Sequence, residues 1–288
     1  MKYNLTAIYW IKNEAVYLPE YLEFHLLQGF EHFIFYDNES SDRTSEILEP
    51  YINQGLVELR KYPSGINIAK NFWVMTHSIA EQKQISKWIH FHAIDERIFC
   101  PNGDKITNFL KQYEQYAGVC VAWKMFNSSG FIKKPKGLII ENYYETVDDE
   151  QNHIKTIIQP EKTIPHPPPN PHEFYYINNF AVDENYRHVL GPFHKSSPYT
   201  MEKIKNHHYV TLSRQEFDDK MNKGLLDHKH TENIRRDTAD SQWNYMHNPP
   251  NKNYLAVDKT LFSFSEIVRE NIKKRYNNNQ EILNYINL

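Results

Sequence analysis

Glycine is scarce, at 9 of 288 residues, and none falls in "WIKNEAVYLP", the stretch that leaves the first strand-like segment. A glycine-rich phosphate loop at that place, of the kind that opens a sugar nucleotidyltransferase, is therefore excluded. Cysteine is nearly absent. Cys100 and Cys120 make no disulfide framework, and no Cys/His spacing matches a structural zinc site. A reducing, cytoplasmic setting is the simpler expectation. No apolar run approaches the roughly 18 residues of a membrane span, and the start of the chain lacks a basic segment leading into an apolar one. The expectation is a soluble protein without export signal or transmembrane segment. A net charge of -3 gives no broad cationic field, and "KKPK" and "NIKKRY" read as solvated lysine clusters. Nucleic acid is not an expected partner.

What is present is apolar and aromatic: 40% hydrophobic residues, enough to fill a sizeable core, and 20 tyrosines, which suit ordinary packing as well as stacking on sugars or bases. The first hundred residues alternate between strand and helix patterns. "LTAIYWI" reads as a strand, and "LPEYLEFHLLQG" as a helix closed by Gly29. "HFIFYD" is a buried strand, "SSDRTSEILEPYINQG" a helix opened by a serine or aspartate cap, and "LVELRKY" a third strand. A helix over 67–84 then leads into a strand over 88–94. Such βαβαβαβ order implies an α/β fold with a mostly parallel sheet flanked by helices, whose ligands bind beyond the carboxyl ends of the strands. Asn13 and Glu14, Asp37, and the pair Asp95 and Glu96 all fall at such ends. Strand ends are also where a chain meets water and becomes polar.

The second half is less regular. "GVCVAWKMF" and "KTIIQ" read as strands, "IPHPPPNPHEF" as a proline-stiffened loop, and "HHYVTLSRQEFDDKMNKG" as a short strand, a Ser213 cap and a helix ending at Gly224. Residues 261–276 read as a terminal amphipathic helix. With no repeat and no flexible linker, the expectation is one domain over 1–230 and a helical extension over 231–288 packed on it.

The order and spacing of "KNEAVYLPEYLEFHLLQGFEHFIFYDNESSDRTSEILEPYINQGLVEL", "WIHFHAIDERIF", "AWKMFNSSG" and "HHYVTLSRQEFDDKMNKG" resemble the family 92 glycosyltransferases, relatives of family 2, over about residues 8–224. The resemblance implies a GT-A (Rossmann-like) fold and a nucleotide-sugar donor, UDP-galactose in the better-known members. It also implies inverting transfer to a glycan or glycoconjugate acceptor, commonly assisted by Mn2+ or Mg2+.

Carried over position by position, Asn13, Glu14 and Asp37 would meet the donor nucleotide, and Lys70 with Asn71 would lie where family 2 relatives place a donor-contacting pair. A carboxylate or amide at a strand end can bond ribose hydroxyls and base edges; Asp37 and Asp42 also suit turn formation and helix capping. "HAIDERIF" aligns with the family's D-x-D-E-F segment, with Ala93 in place of the first acid and Arg97 in place of the aromatic. Asp95 would hold a divalent cation at the donor diphosphate. Arg97 would add positive charge there, or pair with a neighbouring acid. His208 in "NHHYVT" would complete the metal shell, with His207, His90 and His92 as rivals. The missing acid predicts weak metal binding and leaves open a catalytically inactive sugar-binding pseudoenzyme. Trp123, Ser128 and Ser129 would face the acceptor sugar. Glu216 and Asp240 are the candidate catalytic bases; Glu216 could instead pair with Lys220 along the helix.

Overall fold

The computed structural model describes residues 1–62, 70–147, 152–166, 170, 172–194, 199–222 and 232–288, with backbone alone at 70, 232–239 and 254. The side chain of Lys70, the centre of the proline-rich loop, Gly224 and the expected boundary near residue 230 lie outside the described residues. The elements run β1 Tyr3–Ile11, α1 Leu18–Leu27, β2 His32–Asp37, α2 Thr44–Asn53, β3 Val57–Lys61, α3 Lys70–Gln82, β4 Ser86–Phe91 and β5 Glu96–Phe99. They continue α4 Ile106–Leu110, β6 Gly118–Phe126, α5 Ile139–Asn142, β7 Glu145–Val147, β8 Ile154–Ile158, β9 Ala181–Val182 and β10 Lys205–His208. The last are α6 Arg214–Asn222, α7 Glu232–His247, β11 Leu255–Val257, α8 Ser265–Arg275 and α9 Gln280–Tyr285. Two compact units result: Met1–Trp123 with Gln151–Asn206, and Lys124–Glu150 with His207–Leu288.

In the first unit β4, β1, β2 and β3 lie side by side and parallel, the expected α/β arrangement. β8 joins β4 antiparallel, the start of β6 joins β8 antiparallel, and β9 closes on β6 in parallel. β1 is buried from Leu5 to Ile8 because helices cover both faces of the sheet, as its near-continuous apolar run requires. Val74, Met75 and Ile79 form one stripe of α3 and pack on Ile8, Ile34, Phe91 and Ile158. On the opposite face, Tyr21 of α1 packs against Phe33, Phe35 and His92.

One boundary differs from expectation in a way that matters. The strand predicted over 88–94 stops at Phe91, and the chain turns through Ala93–Ile94–Asp95 before β5 begins at Glu96. Asp95 therefore sits in a tight turn, closed by the Glu96 amide donating to the Ala93 carbonyl at 3.1 Å.

In the second unit the end of β6, β7 and β11 pair antiparallel. Val147, Val210 and Met246 form an apolar cluster with Met125 and Tyr245 against it. The predicted terminal helix begins with a 3-10 turn over Thr260–Phe264 and becomes α8 at Ser265. No helix among the described residues is long and apolar enough to cross a membrane.

Candidate functional site

At the carboxyl ends of β1 and β2 the loops are tied to each other by short polar side chains. Asn13 takes a left-handed backbone, φ 53°, which an asparagine tolerates better than most residues. Its amide donates to Ser40 Oγ at 2.9 Å, and its side-chain oxygen accepts from the Ser41 amide at 2.8 Å. Asp37 Oδ1 accepts from the Ser40 amide at 3.2 Å and from the Ser40 hydroxyl. Asp42 accepts from Ala15 and from Thr44 at the start of α2, joining the two loops again. Asn13 and Asp37 thus tie together the loops at this strand-end edge. Both are part-exposed there, as is Glu14.

The negative charge at this edge has a clear centre. Burial, then the charges of Asp95, Glu96 and Glu14, hold the Tyr9 hydroxyl protonated well above the usual tyrosine range. The carboxyl ends of β1 and β4 therefore bring the charges of Glu14, Asp95 and Glu96 to bear on one phenol, Tyr9, which the strand pattern alone did not single out. Its only sequence signal is its place near the end of β1. Asp95 is half-buried, whereas Glu96 is 1% exposed.

Arg97 differs from its expected place at the diphosphate. It is fully buried, its Nε and Nη2 donate to Glu20 Oε1 at 3.2 and 2.9 Å, and its Nη1 donates to the carbonyls of Ile94 and Glu96, both at 2.8 Å. Those carbonyls flank Asp95, so Arg97 acts on the site by fixing the turn that presents it. Glu96 points inward as well. Its Oε2 accepts from Asn206 Nδ2 at 3.1 Å and lies 3.5 Å from His92 Nε2, while Oε1 lies 3.8 Å from Lys155 Nζ. His90 stacks on His92 with ring centres 4.7 Å apart. Burial, the largest cause at each, keeps His25, His90 and His92 well below the usual imidazole range, so all three are neutral. Trp123 is half-buried, with its ring against His153 and His172 at 5.4 and 5.0 Å. Asn71 bonds the amide of its neighbour Phe72.

The second unit holds the other candidates. His207 is fully buried, its Nε2 3.6 Å from Asp258 Oδ2, and that oxygen accepts from Lys124 Nζ at 2.7 Å. Burial would raise the Asp258 pKa, but His207, Lys124 and Thr260 outweigh it and hold the carboxyl well below its ordinary range. Alternation along β10 turns His208 to the other side from His207. Ser129 Oγ accepts from the amides of Tyr144 and Glu145 at 2.8 and 2.9 Å, and Ser128, 2% exposed, lies 2.7 Å from His247 Nε2. Both hydroxyls are thereby engaged within the unit. Glu216 forms a capping box: its Oε2 accepts from the Ser213 amide at 3.1 Å and hydroxyl at 2.6 Å, and from the Tyr143 hydroxyl. Asp240 is more open, its side chain 60% exposed and 3.2 Å from Arg214 Nη2. Among the described residues, no group of three or more His, Cys, Asp or Glu is placed to hold a metal ion.

The family described as glycosyltransferase family 92 matches residues 5–241. The chain belongs to glycosyltransferase family 92. A family 92 protein of Ricinus communis is 21% identical over 210 residues, covering 66% of this chain and 33% of that protein. One of Oryza sativa subsp. japonica is 22% identical over 190 residues, covering 62% and 30%. This family 92 chain spans about a third of the length of these curated relatives. Among solved structures, S. aureus TarS 1-349 is similar at TM-score 0.39 and 15% identity, covering 92% of this chain and 73% of that one. Glucosyl-3-phosphoglycerate synthase from Mycobacterium tuberculosis, solved with Mn2+, UDP and glucosyl-3-phosphoglycerate, is similar at TM-score 0.29 and 13% identity, covering 42% and 44%.

Proposed function

We propose that this family 92 chain transfers a hexose from a UDP-linked donor to a hydroxyl of a glycan, with inversion at the anomeric carbon. The observation that supports the reading is the acidic edge at the ends of β1 and β4, where Glu14 and Asp95 gather about Tyr9 in a chain of this family. In the proposed step the acceptor oxygen bonds to the anomeric carbon. The bond from that carbon to the diphosphate oxygen breaks with its electron pair on the leaving group, and the acceptor proton passes to a carboxylate. Asp240 is the base we favour, since the Glu216 carboxylate already accepts from Tyr143 and Ser213. Asp37 and Glu14 meet the nucleoside, and Trp123 offers its ring to the acceptor sugar.

A divalent cation, when bound, supplies positive charge at the leaving diphosphate. Asp95 would hold it, a carboxylate being a suitable donor for Mn2+. Ala93 carries no donor, so binding should be weak, with activity requiring Mn2+ or Mg2+ on the order of millimolar. Ala93 also favours a second reading, a nucleotide-sugar-binding protein without turnover.

The deciding experiment is nucleotide release from a panel of UDP-, GDP- and dTDP-sugars after chelation, with cation titrated back, for wild type, Asp95→Asn, Ala93→Asp and Asp240→Asn. Transfer from a UDP-sugar that Asp95→Asn and Asp240→Asn abolish and Ala93→Asp sustains at lower cation concentration agrees with the proposal. Calorimetric UDP binding without release favours the second reading. Full activity in excess chelator removes the cation from the scheme.

A further inference from the structure

On the α3 face of the first unit lies a cavity of about 430 Å³. Its floor is the sheet itself. Cys120 of β6, Ile154 and Thr156 of β8 and Ala181 of β9 point into it, while Lys155, between the two β8 residues, points to the histidine side. The walls are a loop pinned at several places: Ile164 donates to the Tyr175 carbonyl at 2.8 Å, Ile177 to Lys162 at 2.9 Å, and Val189 to Ala181 at 3.1 Å. The cavity is thus built into the fold, with a volume in the range of small-molecule sites.

Its chemistry is mixed in a specific way. Tyr175 and Phe180 stand at the rim, 45% and 39% exposed, and present aromatic surface to solvent. Glu173, Tyr176 and His188 line the cavity, and among the described residues none of their side-chain polar atoms has a hydrogen bond. Burial, and then Cys120 and Glu173, raise the Tyr176 phenol well above its usual range, which keeps it a donor beside the Glu173 carboxylate. Gly191, at φ 80°, leaves room for that carboxylate, since a methyl there would come within 3.1 Å of Glu173 Oε2. Among the described residues no lysine or arginine lines the cavity, so these side chains offer a phosphate or nucleotide no cationic partner. An entirely apolar ligand would strip water from Glu173 without replacing its hydrogen bonds. A carboxylate, a phenol and an imidazole beside aromatic faces match a neutral ring with C–H faces and hydroxyl edges.

We propose that this cavity is a binding site for a neutral saccharide, separate from the donor edge. A glycan held there would keep a growing or neighbouring chain on the protein between encounters at the acidic edge. The site does not depend on transfer chemistry, and binding alone tests it. Methyl β-galactoside, methyl β-glucoside, N-acetylglucosamine, lactose and cellobiose are titrated by saturation-transfer NMR against wild type, Tyr175→Ala, Glu173→Gln and Tyr176→Phe, with thermal melts to check folding. At least one of these sugars should bind in the millimolar range. Loss of a hydrogen-bonding group in Glu173→Gln or Tyr176→Phe should weaken it by about tenfold, and saturating UDP should not displace it. Tyr176→Phe deletes a single oxygen and keeps the ring, so its fold is the least disturbed of the three. Absence of binding by folded wild type, binding that a folded Tyr176→Phe or Glu173→Gln leaves unchanged, or displacement by UDP would overturn the assignment.

Discussion

Arg97 shows how one buried side chain acts on the candidate site without reaching its surface. Its guanidinium joins Glu20 of α1 to the two carbonyls that flank Asp95, and both charged groups are withdrawn from water. Removing one partner of such a pair leaves the other charge buried and uncompensated, at a cost of about 3–5 kcal/mol. Arg97→Met should therefore lower stability by about that amount, whereas Glu20→Leu with Arg97→Met should lose much less than the sum of the single changes. Urea titrations of the three variants measure this, and additive losses would mean that the pair is not coupled. A smaller effect belongs to Asn13, whose left-handed backbone asparagine tolerates but which costs alanine about 1–2 kcal/mol. Asn13→Ala should lose this plus the bond to Ser41, about 1 kcal/mol more, while Asn13→Gly should lose only the bond. Equal losses in the two variants would show that backbone strain plays no part.

At the scale of an element, α6 depends on its first turn. Ser213 and Glu216 bond each other's backbone and side chain, and Tyr143 joins from near α5. Glu216→Ala should cost about 1–2 kcal/mol by removing the box, and Glu216→Gln should recover part of it, because an amide oxygen still accepts from Ser213. If nucleotide release is followed in the same preparations, Glu216→Gln should keep kcat within a few-fold of wild type. A kcat loss of about a thousandfold in a folded Glu216→Gln would return the base role to Glu216. The turn between β4 and β5 is the other decisive element. Asp95 and Glu96 mark a strand end in the sequence, but nothing in "FHAI" shows that β4 already stops at Phe91. The break is imposed by Arg97 and by the inward pull on Glu96, contacts with Glu20, Asn206 and Lys155 that lie far away in sequence.

For the whole molecule the buried histidines set an acid limit. His25, His90 and His92 are held neutral, first by burial and further by the fixed charges of Arg97 and Lys155. Their folded pKa values lie below the unfolded value of 6.5. Above that pH neither state takes up the proton, and stability is unaffected. Below it the unfolded chain binds protons that the folded chain refuses, so stability falls with pH until the folded values are reached. Each such histidine contributes a slope of up to about 1.4 kcal/mol per pH unit. The urea midpoint should be flat from about pH 8 to 7 and then drop steeply towards about pH 5. His92→Gln should shallow the drop, and a midpoint unchanged between neutrality and pH 5 would place these imidazoles in contact with solvent.

The sequence by itself determined the alternation of strands and helices through β4, because apolar runs, helical stripes and capping residues are local and periodic. It also placed Asn13, Glu14 and Asp37 at strand ends, since a parallel sheet has only one carboxyl edge. The strand over 118–126 was legible to the residue, being a single apolar and aromatic run. The folded chain alone decided which polar groups face inward. Arg97, Glu216 and Ser129 look on paper like groups free to meet a substrate; Arg97 and Ser129 are instead bound to chain that sequence distance conceals, and Glu216 is held both by Ser213 three residues away and by distant Tyr143. Tyr9 came to light for the same reason, as a β-forming residue whose surroundings are supplied by a different strand and turn. The cavity under Tyr175 and Phe180 has no periodic signature, because its floor comes from three strands and its walls from an irregular loop. Local pattern specifies elements, but the burial of a charge depends on which distant partner can satisfy it, and only the tertiary fold supplies that partner.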